Sequence, residues 1–183
     1  MKTLILSGSR NPTGQTAQAA GAFLQGVLAA GAQGEIVFLP PLHVERCRQC
    51  NEQGWGECLT DGRCVIEDDF AGLVETMRAA DAVCFATPVY FGDLAESLKA
   101  FLDRLRRICR HENGKRGIVG KRALGVCVAG GGGGGSYNCC VCLERTLGHI
   151  GMETVDLVPV RRQNLEVKKD VLRVTGRRFA ADA

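Results

Sequence analysis

Short apolar runs alternate with helix-length amphipathic segments along the chain, and this alternation narrows the possible folds more than any other feature. Each run is only long enough for a strand and has few polar positions, as is typical of strands buried on both faces. Strands separated by helices indicate an α/β fold, with a parallel sheet covered on both sides. The predicted strands are 2–7, 34–39, 82–87, 122–129 and 153–158, and the predicted helices are 14–31, 67–80, 93–110, 137–149 and one from about 164.

Length and composition favour one ordinary globular domain. The chain has 183 residues, enough for one substantial core and too few for two typical domains, so we expect a single domain over 1–183. No segment has the length of a membrane helix and no signal-peptide pattern is visible, so we expect a cytoplasmic location without a membrane partner. The net charge of +3 provides no strong field for nucleic acid, which we do not expect as a partner.

The loop after the first predicted strand has the composition of an anion site. Ser9, Thr13 and Thr16 provide hydroxyls and Gln15 an amide, at a point where a helix begins with free N–H groups. The loop contains neither GxxxxGK[ST] nor GxGxxG, which separates it from triphosphate and dinucleotide loops. A phosphate monoester held by hydroxyls and amides fits this composition best, with an ordinary capped turn as the alternative.

Two more loops with unusual sequences are expected at the same edge of the sheet, where ligands of open α/β folds bind. Residues 87–93 (TPVYFGD) place two aromatic side chains beside a proline, which suits a planar heteroaromatic ring, although such a pair is also common in cores. Six consecutive glycines, Gly130 to Gly135, allow the backbone to approach a ligand where a Cβ would intrude. A flexible surface loop is the alternative for this segment.

Four of the ten cysteines lie close together between the second predicted strand and the second predicted helix. They are Cys47, Cys50, Cys58 and Cys64, at the spacing C-x2-C-x7-C-x5-C. Clustered thiols among turn-forming residues indicate a metal or cluster site, and a reducing compartment disfavours disulfides. The spacing leaves three interpretations open, which are an iron–sulfur cluster, a zinc site and reduced thiols that only pack the loop.

Three of these segments resemble one known family. The stretches SGSRNPTGQT and TPVYFGDLAESLKAFLDR and the glycine-rich turn are similar to the flavodoxin-like family of NAD(P)H-dependent FMN reductases, over roughly residues 2–160. The cysteine segment, which ends in CVIEDD, resembles the branch that includes the iron–sulfur flavoproteins. The resemblance implies a flavodoxin-like α/β fold with a five-stranded parallel sheet of order 2-1-3-4-5, a cysteine-rich insertion at about 42–66, and FMN bound noncovalently.

The resemblance also implies a function. The protein would be an FMN-dependent oxidoreductase, a homodimer or homotetramer, that receives electrons from NAD(P)H or a ferredoxin-like donor and passes them to a small-molecule acceptor such as a quinone. A flavodoxin-type electron carrier and a zinc or thiol redox sensor are the alternatives, and no general acid or base is predicted. The residues implied to hold the FMN phosphate are Ser9, Arg10, Gln15 and Thr16, and those implied to line its ring are Pro88, Val89, Tyr90, Phe91 and the backbone of Gly130, Gly131 and Gly132.

The cysteine pattern departs from that branch at one position. The iron–sulfur flavoproteins show C-x2-C-x2-C-x4–7-C, whereas here Gln53 stands at the third position and Cys58 follows later. Gly54 and Gly56 would let Cys58 fold back toward the first pair, and Trp55 would shield a cluster from water. The predicted ligands of a [4Fe–4S] cluster are therefore Cys47, Cys50, Cys58 and Cys64, with zinc and unliganded thiols as the alternatives.

Overall fold

A computed structural model describes residues 1–181 of the chain and contains one five-stranded sheet. The strand order is β2-β1-β3-β4-β5 and every neighbouring pair is parallel, so the predicted α/β sheet of order 2-1-3-4-5 is confirmed. The last two residues of the predicted domain 1–183 lie outside the described residues. The strands are β1 (Lys2–Ser7), β2 (Gln33–Phe38), β3 (Ala82–Pro88), β4 (Arg122–Ala129) and β5 (Glu153–Arg161).

Helices cover both faces of this sheet, as predicted. They are α1 (Gln15–Ala29), α2 (Glu57–Thr60), α3 (Phe70–Ala79), α4 (Glu96–Ile108), α5 (Glu112–Lys115), α6 (Ser136–Ile150) and α7 (Leu165–Ala181), with a 3₁₀ turn at Arg162–Asn164. Helices α1 and α7 pack on one face, where the rings of Phe23 and Phe179 lie 5.6 Å apart. Helices α3, α4 and α6 pack on the other face. Among the described residues, none of these helices is long and apolar enough to cross a bilayer.

The apolar strands supply the core on both faces because successive side chains point to opposite sides. In β3, Val83 and Phe85 join the core under α3, α4 and α6, while Cys84 and Ala86 join the core under α1 and α7. Burying a side chain such as Phe85 stabilises the fold by about 1.5–3 kcal/mol. This two-sided burial explains why the central strands have nearly continuous apolar sequences.

The strand order brings the loops after β1, β3 and β4 to the same edge of the sheet. Strand β2 lies on one side of β1, whereas β3 and the later strands lie on the other side, which makes this edge a topological switch point. Backbone hydrogen bonds tie the loops together, since the N–H of Gly8 donates to the carbonyl of Ala86 at 2.8 Å and that of Val89 donates to Val128 at 3.0 Å.

Helix α4 begins later than the predicted start at residue 93. Tyr90 and Asp93 exchange two backbone hydrogen bonds of 3.0 Å, so residues 90–93 form a tight turn and the helix begins at Glu96. Helix α3 likewise begins at Phe70 and not at residue 67, and the Asp68 carboxylate accepts a hydrogen bond of 3.1 Å from the N–H of Phe70 at this start. Both helices begin later than predicted because a turn precedes them, and the spacing of apolar residues does not indicate such turns.

Candidate functional site

One cleft of about 540 Å³ lies where the loops after β1, β3 and β4 meet. Its volume falls in the range of small-molecule and cofactor sites. Eight of the eleven residues predicted to hold FMN line it together. They are Ser9, Gln15, Thr16, Pro88, Val89, Tyr90, Gly130 and Gly131.

The N-terminus of α1 forms the anion-binding end of the cleft. The residue that precedes the helix is Gly14, and no side chain caps it, so the first N–H groups of α1 are not satisfied by a cap. The first turn also carries no acidic residue. Ser9 and Thr16 are buried beside it, and Thr13 turns its hydroxyl to the carboxamide of Asn11 at 2.9 Å. Free N–H groups, the helix dipole and buried hydroxyls favour a phosphate here.

The turn after β3 forms the aromatic wall of the cleft. The side chain of Tyr90 lines the cleft, while Phe91 is fully exposed and adopts a φ of +51°, which is rare for an aromatic residue. The hydroxyl of Thr87 accepts a hydrogen bond of 3.0 Å from the N–H of Ala95, which holds the turn against the start of α4. The wall therefore presents one aromatic side chain to the cleft and one to solvent.

The glycine-rich segment after β4 is packed against its neighbours. Gly135 has a φ of +82°, and a Cβ there would lie 2.9 Å from the Cα of Gly92. Gly133 has a φ of +78°, and a Cβ there would lie 2.4 Å from Oε1 of Gln163. The positive φ favours glycine at both positions, and at Gly135 the backbone of Gly92 also leaves no room for a side chain. Gly135 is therefore a close backbone contact beside the cleft, whereas a Cβ at Gly131, Gly132 or Gly134 would meet nothing within 4 Å.

Three predicted FMN residues lie outside the cleft lining. Arg10 lines a neighbouring cavity of about 580 Å³, which Tyr90 also lines. Gly132 faces outward, and its carbonyl accepts a hydrogen bond of 3.2 Å from Nε2 of Gln163. Phe91 points to solvent. Their predicted contacts with FMN stay predictions.

The four predicted cluster ligands, Cys47, Cys50, Cys58 and Cys64, line one small pocket together with Trp55. The chain folds back through Gly54, which has a φ of +79°, and through Gly56, where a Cβ would lie only 3.0 Å from that of Cys50. The expected return of Cys58 toward the first pair is therefore present. Within residues 1–181, however, no three His, Cys, Asp or Glu side chains are placed to hold one metal ion.

Comparison with known proteins identifies the family. The NADPH-dependent FMN reductase family matches residues 1–161. The chain belongs to this family. An iron–sulfur flavoprotein of Methanocaldococcus jannaschii is 30% identical over 131 residues, which are 72% of this chain and 65% of that protein. The iron–sulfur flavoprotein of Methanosarcina thermophila is 36% identical over 104 residues, 57% of this chain and 52% of that protein. The chain thus matches about half to two thirds of the length of these relatives.

The family also agrees with the fold. The NAD(P)H:quinone oxidoreductase from Methanothermobacter marburgensis has a TM-score of 0.72 at 23% identity, over 98% of this chain and 96% of that chain. The sheet order 2-1-3-4-5 is that of flavodoxins. The predicted flavodoxin-like fold and FMN reductase family are therefore confirmed, and family membership supports FMN as the cofactor.

Two arginines of α4 hold the cysteine loop of this FMN reductase family member, and the sequence analysis missed both. Arg104 donates to the carbonyls of Glu45 at 3.1 Å and Ile66 at 3.4 Å, which flank the cysteines. Arg107 donates to the carbonyl of Gly54 at 2.5 Å and lies over the Trp55 ring at 4.6 Å. For Arg104 the sequence carried one signal of burial, because this residue lies on the apolar stripe of α4.

Burial and hydrogen bonding act in opposite directions on the charges at the base of this loop. Burial opposes the charge of Arg104, but its hydrogen bonds with Asp68 and the nearby Cys64 sulfur outweigh burial and raise the pKa of the guanidinium. Burial likewise opposes ionisation of Asp68, but hydrogen bonds from Arg104 and from the backbone N–H groups of Glu45 and Phe70 lower the pKa of that carboxyl. Both groups are therefore charged at neutral pH.

Proposed function

We propose that this chain is an FMN-dependent oxidoreductase that takes electrons from NAD(P)H, or from a ferredoxin-like donor, and passes them to a small-molecule acceptor. The observation that carries this proposal is the cleft itself. In an FMN reductase fold, an uncapped helix N-terminus, an aromatic wall and a glycine backbone line one cavity at the switch point. The names of the relatives, flavoproteins and quinone oxidoreductases, support the same chemistry.

Each wall of the cleft has a distinct role in this proposal. FMN would supply reversible transfer of one or two electrons when bound. The N–H groups of α1 and the hydroxyls of Ser9 and Thr16 would bind the phosphate, Tyr90 would pack against the ring, and the Gly130 backbone would lie at the ring edge. Among the described residues, no Asp, Glu, His or Lys lines the cleft. The residues of the cleft would therefore act by binding and orienting the cofactor.

We further propose a [4Fe–4S] cluster in the cysteine pocket. Four thiolates are the usual donor set of such a cluster, and the four cysteines line a single pocket. A buried nitrogen without a partner, Nε of Arg104, belongs to a side chain that lines the same pocket. Trp55 lies on one wall and limits access of water. Zinc is the competing occupant by donor chemistry, since four thiolates also suit a tetrahedral ion, but no three of these side chains within residues 1–181 are placed to hold a single ion.

A homodimer or homotetramer in the cytoplasm completes the proposal. Tyr90 and Phe91 are exposed in the turn that forms the aromatic wall of the cleft, and Tyr137 is exposed in the first turn of α6. Exposed aromatic side chains are enriched at protein interfaces, which supports contact with a second copy at this face. Sedimentation of the FMN-loaded protein measures the assembly, and a monomer at all concentrations contradicts it.

Anaerobic purification followed by cofactor analysis and steady-state kinetics tests the function. We expect about one FMN per chain, about four irons and four sulfides, and oxidation of NADH or NADPH in the presence of a small benzoquinone. Bound FMN without oxidation of either nucleotide supports a carrier, or a donor of the ferredoxin type. Zinc in place of iron contradicts the cluster and leaves the flavin chemistry intact. A protein that binds no FMN contradicts the proposal as a whole.

A further inference from the structure

The Arg104 side chain is unusual because it is buried, charged and only partly satisfied. Its side chain is 1% exposed. Nη1 and Nη2 donate to the two oxygens of Asp68 at 2.6 and 2.9 Å, and also to the carbonyls of Glu45 and Ile66. Its Nε has no hydrogen-bond partner among the described residues.

A buried N–H without an acceptor is costly, and most such groups in folded proteins have a partner. The side chain that carries this N–H lines the cysteine pocket together with Cys64. Sulfur atoms of a thiolate-bound cluster carry negative charge and accept hydrogen bonds. An acceptor in the pocket would therefore satisfy Nε of Arg104, which has no hydrogen-bond partner within residues 1–181.

Arg107, another arginine that lines the pocket, is engaged by the tip of the loop. Arg107 donates to the carbonyl of Gly54 and its guanidinium lies over the Trp55 ring, so both contacts are at the tip of the loop. Arg104 instead holds the base of the loop with its Nη groups, through residues that flank the first and last cysteines. The Nε of Arg104 takes part in none of these contacts, and its side chain lines the pocket.

We propose that Arg104 is a positioning residue for the cysteine pocket, where its Nε donates a hydrogen bond to a sulfur of the bound cluster while its Nη groups hold both ends of the cysteine loop. The inference rests on the cluster part of the proposed function. Hydrogen bonds to cluster sulfurs stabilise the reduced, more negative state and raise the reduction potential. Arg104 therefore sets the potential of the cluster in addition to supporting the loop.

Replacing Arg104 by lysine separates the two roles. The substitution Arg104→Lys keeps a positive charge opposite Asp68 but removes the Nε–H, so it tests the donor itself. The matched control is Arg106→Lys, which makes the same change on the same helix at a side chain that is 41% exposed and does not line the pocket. The full chain, purified and reconstituted anaerobically, is titrated electrochemically while the iron signal is followed by electron paramagnetic resonance.

We expect Arg104→Lys to hold wild-type amounts of iron and sulfide with a cluster potential below that of wild type. The FMN potential in the same titration stays unchanged, and Arg106→Lys matches wild type in both. A wild-type cluster potential in Arg104→Lys overturns the inference.

A second variant covers the case in which Arg104→Lys does not load iron. The double variant Asp68→Asn, Arg104→Met removes both charges together, and a wild-type cluster potential in it also overturns the inference. A lowered potential in it supports the inference. Wild-type protein that binds FMN but takes up no iron overturns both the cluster and this inference, and leaves the flavin oxidoreductase standing.

Discussion

The guanidinium of Arg104 and the carboxylate of Asp68 form a buried two-point ion pair, with Nη1–Oδ2 at 2.6 Å and Nη2–Oδ1 at 2.9 Å. Asp68 also accepts hydrogen bonds from the N–H groups of Glu45 at 2.8 Å and Phe70 at 3.1 Å. The pair therefore joins three segments, which are the start of the cysteine insertion, the start of α3 and the middle of α4.

Removal of one partner of this pair should destabilise the protein strongly. Asp68→Ala leaves a buried guanidinium without its counter-charge, and we expect a loss of about 3–5 kcal/mol in the free energy of unfolding. Urea denaturation followed by circular dichroism measures it. Asp170→Ala is the control, because Asp170 pairs with Arg173 at 2.6 Å but is 79% exposed, and such pairs contribute about 0–1 kcal/mol. Equal losses in the two variants would contradict a role for burial.

The same pair should make stability depend on acid pH. The pKa of Asp68 is lowered in the folded state, so its ionised form stabilises the fold above the ordinary Asp pKa of about 3.9. That stabilisation is lost as the pH falls through the lowered value. We expect the difference in unfolding free energy between wild type and Asp68→Asn to be constant near neutral pH and to shrink below about pH 4. A difference that grows on acidification would contradict this sign.

Trp55 is the single tryptophan of the chain, so its fluorescence reports on the tip of the cysteine loop. Arg107→Ala removes both the hydrogen bond to Gly54 and the cation over the indole ring. We expect the emission maximum to move to longer wavelength because the ring becomes more exposed to water. Arg106→Ala, one position earlier on α4, should leave the spectrum unchanged. An unchanged spectrum in Arg107→Ala would show that other contacts hold the tip.

Hydroxyl groups in the first loop should contribute to FMN affinity. Thr16→Val keeps the shape of the side chain and removes a hydroxyl from the anion-binding end of the cleft, so we expect FMN to bind about 10- to 100-fold more weakly. Quenching of flavin fluorescence on titration gives the dissociation constant. Thr13→Val is the matched control, since that side chain is exposed, bonds to Asn11 and does not line the cleft. Riboflavin, which lacks the phosphate, should bind wild type and Thr16→Val alike.

The contact between the glycine segment and the turn after β3 should tolerate no side chain. Gly135→Ala combines a φ of +82° with a Cβ placed 2.9 Å from the Cα of Gly92, so the two walls of the cleft must separate. We expect weaker FMN binding and a lower melting temperature. Gly148→Ala within α6 is the control, because a Cβ there meets nothing within 4 Å and alanine favours a helix. Wild-type affinity in Gly135→Ala would mean that the contact does not shape the cleft.

The loops of the cleft were predictable because their chemistry is local. Ser9, Thr16 and Tyr90 lie within a few residues of a strand end, and parallel strands bring those ends together without further information. The positions of Arg10 and Phe91 were not predictable, since a turn with positive φ at Phe91 and the direction of a long exposed side chain depend on atomic packing.

The sequence by itself determined the α/β sheet, its family and the three loops that meet at the switch point, because apolar periodicity and turn chemistry act over short stretches of chain. Only the tertiary structure decided how the cysteine loop is held. Asp68 and Arg104 are 36 residues apart, and Glu45 and Arg104 are 59 apart. In the sequence Arg104 is one of several arginines on an amphipathic helix. Its place on the apolar stripe of α4 indicates burial, but its partners depend on which surfaces α3, α4 and the cysteine loop present to each other, and no local pattern encodes those contacts.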